Sequence, residues 1–151
     1  MIMRIAIGSD HGGYHLKEDI KDYLGILKID YKDFGCMNGD AVDYPDIAFK
    51  VSNEVKDGKY ERGILICGTG IGISIAANKI KGIRAALCGD VFSAKKSREH
   101  NDSNILALGG RVIGTGLARE IVKAWLFSEF SHGERHINRI KKMSKIEENN
   151  L

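Results

Sequence analysis

The amino-acid sequence predicts a three-layer α/β fold: a doubly wound parallel sheet flanked by helices. Three observations carry the prediction. Short apolar runs end in Gly, Asp or Asn and hand over to helical periodicity, the sequence form of alternating strand and helix. The run Gly63-Ile64-Leu65-Ile66-Cys67 is apolar throughout, which suits a central strand covered on both faces. The connections are short, and 151 residues fit one compact domain with its own core.

Each element follows in order. Arg4 to Gly8 reads as the first strand, and Tyr14 to Leu24 as a helix with Leu16, Ile20, Tyr23 and Leu24 on one stripe. Ile29 to Phe34 is a weaker strand. Pro45 suits the start of a helix whose inward face is Ile47, Ala48, Val51 and Val55. After the central strand, a Gly-rich turn opens a helix from about Ile71 to Lys79. Ile83 to Cys88 is the next strand and Val91 to His100 the next helix. Ile105 to Leu108 is the last strand, and Leu117, Ile121, Val122 and Trp125 mark the helix behind it. Ile137, Ile140, Met143 and Ile146 recur at helical spacing in a basic tail from about residue 131. Such a striped helix folds back or lies on a neighbour. There is no internal repeat, low-complexity tract or linker, so one domain is expected over 1–151.

Composition excludes several function classes. A net charge of +3 is too small to argue for nucleic acid. The basic residues nevertheless crowd the tail, where Arg135, Arg139, Lys141, Lys142 and Lys145 stand. Cys36, Cys67 and Cys88 form an odd set without a C-x-x-C pair, which argues against a disulfide framework or structural zinc. The histidine pairs His11/His15 and His132/His136 lack the His-Glu-x-x-His arrangement, so no metal and no cofactor is expected. The N-terminal apolar run is too short for a signal peptide, and nothing approaches the ~18–20 apolar residues that cross a bilayer. The expected compartment is the cytoplasm.

In open parallel sheets, ligands bind at the carboxyl ends of the strands, near the point where strand order reverses. Those ends carry Asp10-His11-Gly12-Gly13, Cys67-Gly68-Thr69-Gly70-Ile71-Gly72-Ile73-Ser74 and Gly109-Gly110-Arg111. Glycines between a strand and a helix turn backbone N–H groups toward an anion. Counting excludes three familiar loops. A dinucleotide fingerprint needs Gly, and a cysteine phosphatase needs Arg, where Ile73 stands; a Walker loop needs a Lys that never comes.

What remains is a thiol beside an anion nest. A thiolate at a helix N-terminus is a candidate base for a carbon-bound proton, with neighbouring N–H groups holding the oxyanion. The competing reading is a buried core cysteine that ends a hydrophobic strand, and for Cys36 and Cys88 that reading is favoured. Asp10 is either a helix cap or a proton carrier. His11 is either a backbone partner or a phosphate contact. His100, beside Asn101 near a helix end, is either a surface residue or a proton donor at a sugar ring oxygen. Arg111, Arg135 and Arg139 are either solvated or planar forks for a phosphate dianion.

Together these residues resemble the type B ribose-5-phosphate isomerases, in the family shared with the galactose-6-phosphate isomerase subunits. The resemblance rests on Gly8-Ser9-Asp10-His11-Gly12-Gly13-Tyr14, Asp43-Tyr44-Pro45-Asp46, Ile64 through Ser74, Ala76-Ala77-Asn78-Lys79, Arg98-Glu99-His100-Asn101-Asp102, Gly110-Arg111-Val112 and Arg135-His136-x-x-Arg139. It implies a Rossmann-like domain acting as a homodimer or homotetramer, with active sites between subunits and the tail on the partner.

By the same resemblance, Cys67 takes the proton from the carbon beside the carbonyl, His100 opens the furanose ring and Asp10 moves protons between the two oxygens. Thr69 joins this catalytic set. His11, Arg111, Arg135 and Arg139 surround the phosphate, and Tyr44 and Asn101 touch the sugar. Gly68, Gly70, Ile71, Gly72 and Ser74 hold the enediolate oxygen. Some members use a glutamate further along this loop, where the present chain has Ile73-Ser74-Ile75-Ala76. The expected reaction interconverts D-ribose 5-phosphate and D-ribulose 5-phosphate in the pentose phosphate pathway. The rivals are a six-carbon phosphosugar, allose or galactose 6-phosphate, and a non-catalytic sugar-phosphate-binding module.

Overall fold

Five strands pair in parallel in the order β2-β1-β3-β5-β4 in the computed structural model, which describes residues 3–149. The strands are β1 (Arg4–Ser9), β2 (Asp30–Asp33), β3 (Arg62–Cys67), β4 (Ala85–Leu87) and β5 (Ile105–Gly109). The helices are α1 (Tyr14–Ile26), α2 (Tyr44–Lys56), α3 (Ile71–Ala77), α4 (Val91–Asn101), α5 (Thr115–Leu126) and α6 (Glu134–Asn149). A 3₁₀ turn, His11–Gly13, leads from β1 into α1.

Strand alternation divides the core in two. Ile5, Ile7, Ile64, Ile66, Leu106 and Leu108 meet α1, α4 and α5, around the fully buried Trp125. Ala6, Leu65, Cys67, Ile105 and Ala107 face α2 and α3, against Ile47, Val51, Ile73 and Ala77. The order places β1, β3 and β5 side by side, so the three loops singled out above leave adjacent strands at one end of the sheet. Order reverses between β1 and β3, where a cleft is expected in such sheets.

Several boundaries differ from expectation. β4 keeps only Ala85–Leu87, because those residues alone pair with β5; Ile83 and Cys88 are buried beyond its ends. Leu117 is exposed, and Ala118 takes the inward place on α5. On α6 the apolar stripe is left largely uncovered: Met143 and Ile146 are exposed, and His136 is the helix's buried residue among those described. Among the described residues, no helix is long and apolar enough to cross a membrane.

The sheet edge at β4 is closed by a side chain. Asn78 accepts the Ala85 N–H on Oδ1 at 2.8 Å and donates from Nδ2 to the Ala85 carbonyl at 3.0 Å, copying a neighbouring strand. A hydrogen bond contributes ~0.5–1.5 kcal/mol net, so Asn78→Ala is expected to cost about 1–2 kcal/mol in urea unfolding.

Candidate active site

Backbone hydrogen bonds stitch the three loops together beyond the strands. The Asp10 N–H donates to the Ile66 carbonyl at 3.2 Å, Gly110 to Cys67 at 2.8 Å and Arg111 to Gly68 at 2.9 Å. The loops also touch closely. A Cβ on Gly13 would stand 2.5 Å from the Ile66 carbonyl oxygen, so a side chain there pushes the Asp10 loop off β3. Gly12 lies beside both the Gly68 amide and the Asp10 carboxylate: its Cβ would be 3.0 Å from Gly68 N and 3.3 Å from Asp10 Oδ1.

Cys67 ends β3 with its thiol on the α2/α3 side, and the residue is 4% exposed. Its Sγ accepts the Gly70 N–H at 3.1 Å. That bond needs a sharp reversal: Gly70 sits at φ +80°, where a side chain is strained. Thr69 Oγ1 accepts the Ile71 N–H at 3.2 Å, and Ser74 Oγ donates to the Ile71 carbonyl at 2.8 Å. The Gly72 and Ile73 N–H groups, in the first turn of α3, have no acceptor among the described residues. Unpaired first-turn donors beside a sulfur form an anion-binding surface. By contrast, burial pushes the Cys88 thiol up to about 11, which keeps it protonated.

Asp10 is 7% exposed and caps the 3₁₀ turn, its Oδ1 accepting the Gly13 N–H at 3.2 Å. The capping reading of this residue therefore holds, and a second carboxylate oxygen remains beside it. Tyr44 brings its ring end onto the loop: a Cβ on Gly72 would be 2.9 Å from the Tyr44 hydroxyl. The Arg111 guanidinium lies over Gly68, Nη1 being 3.5 Å from a Cβ built there. His11 is exposed, and its Nδ1 accepts the Val42 N–H at 3.4 Å.

A second group gathers elsewhere, where α4 meets α6. His100 packs against His136, ring centroids 4.3 Å apart. Arg135 Nε donates to His136 Nε2 at 3.3 Å, and Arg139 is exposed one turn further along α6. Asn101 is exposed at the end of α4, its carbonyl accepting Arg84 Nε at 3.0 Å. Among the described residues, no hydrogen bond, ion pair or ring contact joins His100, Asn101, Arg135 or Arg139 to the Cys67–Asp10 group. In the sequence His136 stands out only as part of the Arg135-His136-x-x-Arg139 motif and of the His132/His136 pair; its place against His100 depends on a tertiary contact.

No three His, Cys, Asp or Glu side chains among the described residues gather in a group fit for a metal ion.

Residues 5–143 match the model of the family described as Ribose/Galactose Isomerase. The chain is 61% identical over 150 residues to the putative sugar phosphate isomerase YwlF of Bacillus subtilis, covering 99% of this chain and 100% of that one. It is 47% identical over 133 residues to a D-erythrulose-4-phosphate isomerase of Pectobacterium atrosepticum, covering 87% and 88%. Its fold superposes on the solved structure of ribose-5-phosphate isomerase B from Clostridium thermocellum with a TM-score of 0.96 at 54% identity, covering 99% and 100%. The motifs at the three loops thus stand within a similarity that spans the whole sheet, and the chain belongs to the ribose/galactose isomerase family.

Proposed function

We propose that this chain interconverts D-ribose 5-phosphate and D-ribulose 5-phosphate through a cis-enediol, with Cys67 as the carbon-acid base. The observation that carries the reading is the Cys67 sulfur, held by the Gly70 N–H in a loop tied to Asp10 on one side and Arg111 on the other. A hydrogen next to a sugar carbonyl is weakly acidic, so a base alone is insufficient; fixed donors must meet the oxyanion as it forms.

His100 gives a proton to the furanose oxygen while the anomeric O1–H releases its own to solvent, and the ring opens to the aldehyde. The Cys67 thiolate removes the C2 hydrogen, and the electron pair moves to O1, which the Gly72 and Ile73 N–H groups face; Gly68, Gly70, Ile71 and Ser74 shape this nest, and Thr69 fixes its turn. Asp10 carries a proton from O2 to O1. The thiol, whose proton exchanges with solvent while the enediol is held, then protonates C1, which gives the ketose. Tyr44 and Asn101 orient the sugar, and His11, Arg111, Arg135 and Arg139 clamp the phosphate.

The separation of the two residue groups within one chain supports a site completed by a second copy, in a homodimer or homotetramer. Phe49, Ile71, Ile75, Leu87 and Phe92 are exposed although apolar, on α2, α3 and the β4–α4 region beside the thiol loop, and such a patch suits a partner. The tail from about residue 131 then lies on that partner, and 1–151 acts as one domain. We place the protein in the cytoplasm, where its free cysteines stay reduced.

The name of the Pectobacterium relative favours a second reading, a four-carbon sugar phosphate. Comparing kcat/KM on ribose 5-phosphate, erythrulose 4-phosphate, allose 6-phosphate and galactose 6-phosphate tests both. Ribose 5-phosphate is expected to lead; a higher value on another sugar overturns the substrate, and no turnover on any overturns the isomerase.

A further inference from the structure

His136 is tied down on every side. Its Nδ1 lies 2.7 Å from Ser131 Oγ, and its Nε2 accepts the Arg135 Nε–H at 3.3 Å. An accepting Nε2 places the ring proton on Nδ1, which then donates to Ser131. Ser131 is itself fixed, its amide donating to the Glu99 carbonyl at 3.0 Å, next to His100 on α4. The His136 ring therefore reaches His100 from a rigid base, at 4.3 Å between centroids and 31° between planes. Burial, then the neighbouring His100, Arg135 and Arg139 charges, hold His136 below the usual imidazole range. Its lone pair thus stays available to Arg135.

We infer that His136 is a positioning residue for the isomerisation: its ring face fixes the His100 imidazole, and its Nε2 fixes the Arg135 guanidinium. The inference rests on the assignment above of His100 to ring opening and Arg135 to the phosphate. A contact through ring faces leaves the in-plane nitrogens of His100 for the sugar, and a bond through Nε leaves both Nη groups of Arg135 for a phosphate. The two duties sit on different parts of one side chain, so substitution separates them.

His136→Gln keeps an acceptor and a donor but removes the ring, whereas His136→Phe keeps a ring and removes both nitrogens. With ribose 5-phosphate, the Gln variant is expected to lose kcat about tenfold with KM little changed, since misplacing a catalytic group costs at least that much. The Phe variant is expected to raise KM about tenfold with kcat largely kept, as when a charge-assisted phosphate contact is loosened. A second readout separates positioning from folding. Ribulose 5-phosphate is an open chain, because the hydroxyl that would close its five-membered ring is phosphorylated. Deuterium entry at its C1 in deuterated water therefore needs the Cys67 site but no ring opening. At saturating ketose, both variants are expected to keep that exchange.

Equal loss of exchange and isomerisation in both variants would mean a structural role only and overturns the inference, as does no change in either variant. Wild-type protein that neither isomerises nor exchanges removes the isomerase reading itself, and this one with it.

Discussion

Cys67→Ala is expected to abolish turnover while a phosphorylated sugar still binds. A positioned acid–base group contributes ~10²–10⁴-fold, and the thiol is the group that the Gly70 N–H and the open α3 turn converge on. The phosphate contacts assigned to His11, Arg111, Arg135 and Arg139 do not involve the sulfur, so binding survives its loss. Alanine also suits the β3 backbone and its half-apolar surroundings, where Ala6, Ala77 and Ala107 already stand. Steady-state kinetics read the first effect, and calorimetry with a non-isomerising sugar phosphate reads the second. A variant that isomerises at the normal rate removes Cys67 as the base.

Lys17→Met is expected to cost the fold about 3 kcal/mol, toward the lower end of what breaking a buried ion pair costs. Lys17 is fully buried, and its Nζ donates to Asp33 Oδ2 at 2.6 Å and to the Cys36 carbonyl. Lys21 at 2.9 Å and the Gly35 N–H remain on Asp33 in the variant, which limits the loss. The effect depends on pH. Burial pushes the Asp33 carboxyl up, but bonds from Lys17, the Gly35 amide and Lys21 outweigh it and hold the group below its usual range. A carboxylate depressed in this way stabilises the fold above its unfolded value of ~3.9 and stops doing so as pH falls through the folded value. Urea unfolding should show the full wild-type advantage at neutral pH and a narrowing one below about pH 4. The same contacts anchor the segment that leads to Val42 and its bond with His11, so Lys17→Met should also weaken phosphosugar binding.

Much of this was legible in the sequence, for physical reasons that differ by element. β3 declared itself because a strand covered on both faces must be apolar at every position. The three loops were found because a parallel sheet puts its strand ends, and so its Gly-rich turns, at one edge. Periodicity could not say what covers a face. Ile137, Ile140, Met143 and Ile146 keep helical spacing, yet Met143 and Ile146 stand exposed on α6.

Pairing rather than composition shortened β4: Ile83 and Cys88 are buried but have no registered partner on β5, Cys88 only closing the last pair by donating its N–H to the Ala107 carbonyl at 3.3 Å. Lys17 was invisible because a lysine is almost never buried without a partner, and its partner stands 16 residues away. His136 was hidden in the same way: a histidine within a basic helix gives no sign that another imidazole lies across it. Convergence of Asp10, Cys67 and Arg111 follows from topology, whereas His100 stands apart from that cluster within the chain, and its proposed part in the site rests on a second copy.

The most direct test is proton NMR of ribose 5-phosphate with the wild-type protein in deuterated water. Base removal of the C2 hydrogen by a thiolate predicts ribulose 5-phosphate carrying solvent deuterium at C1, with none formed by Cys67→Ala. Ketose formed by Cys67→Ala at the wild-type rate, with the same deuterium at C1, would contradict the proposed role of the sulfur.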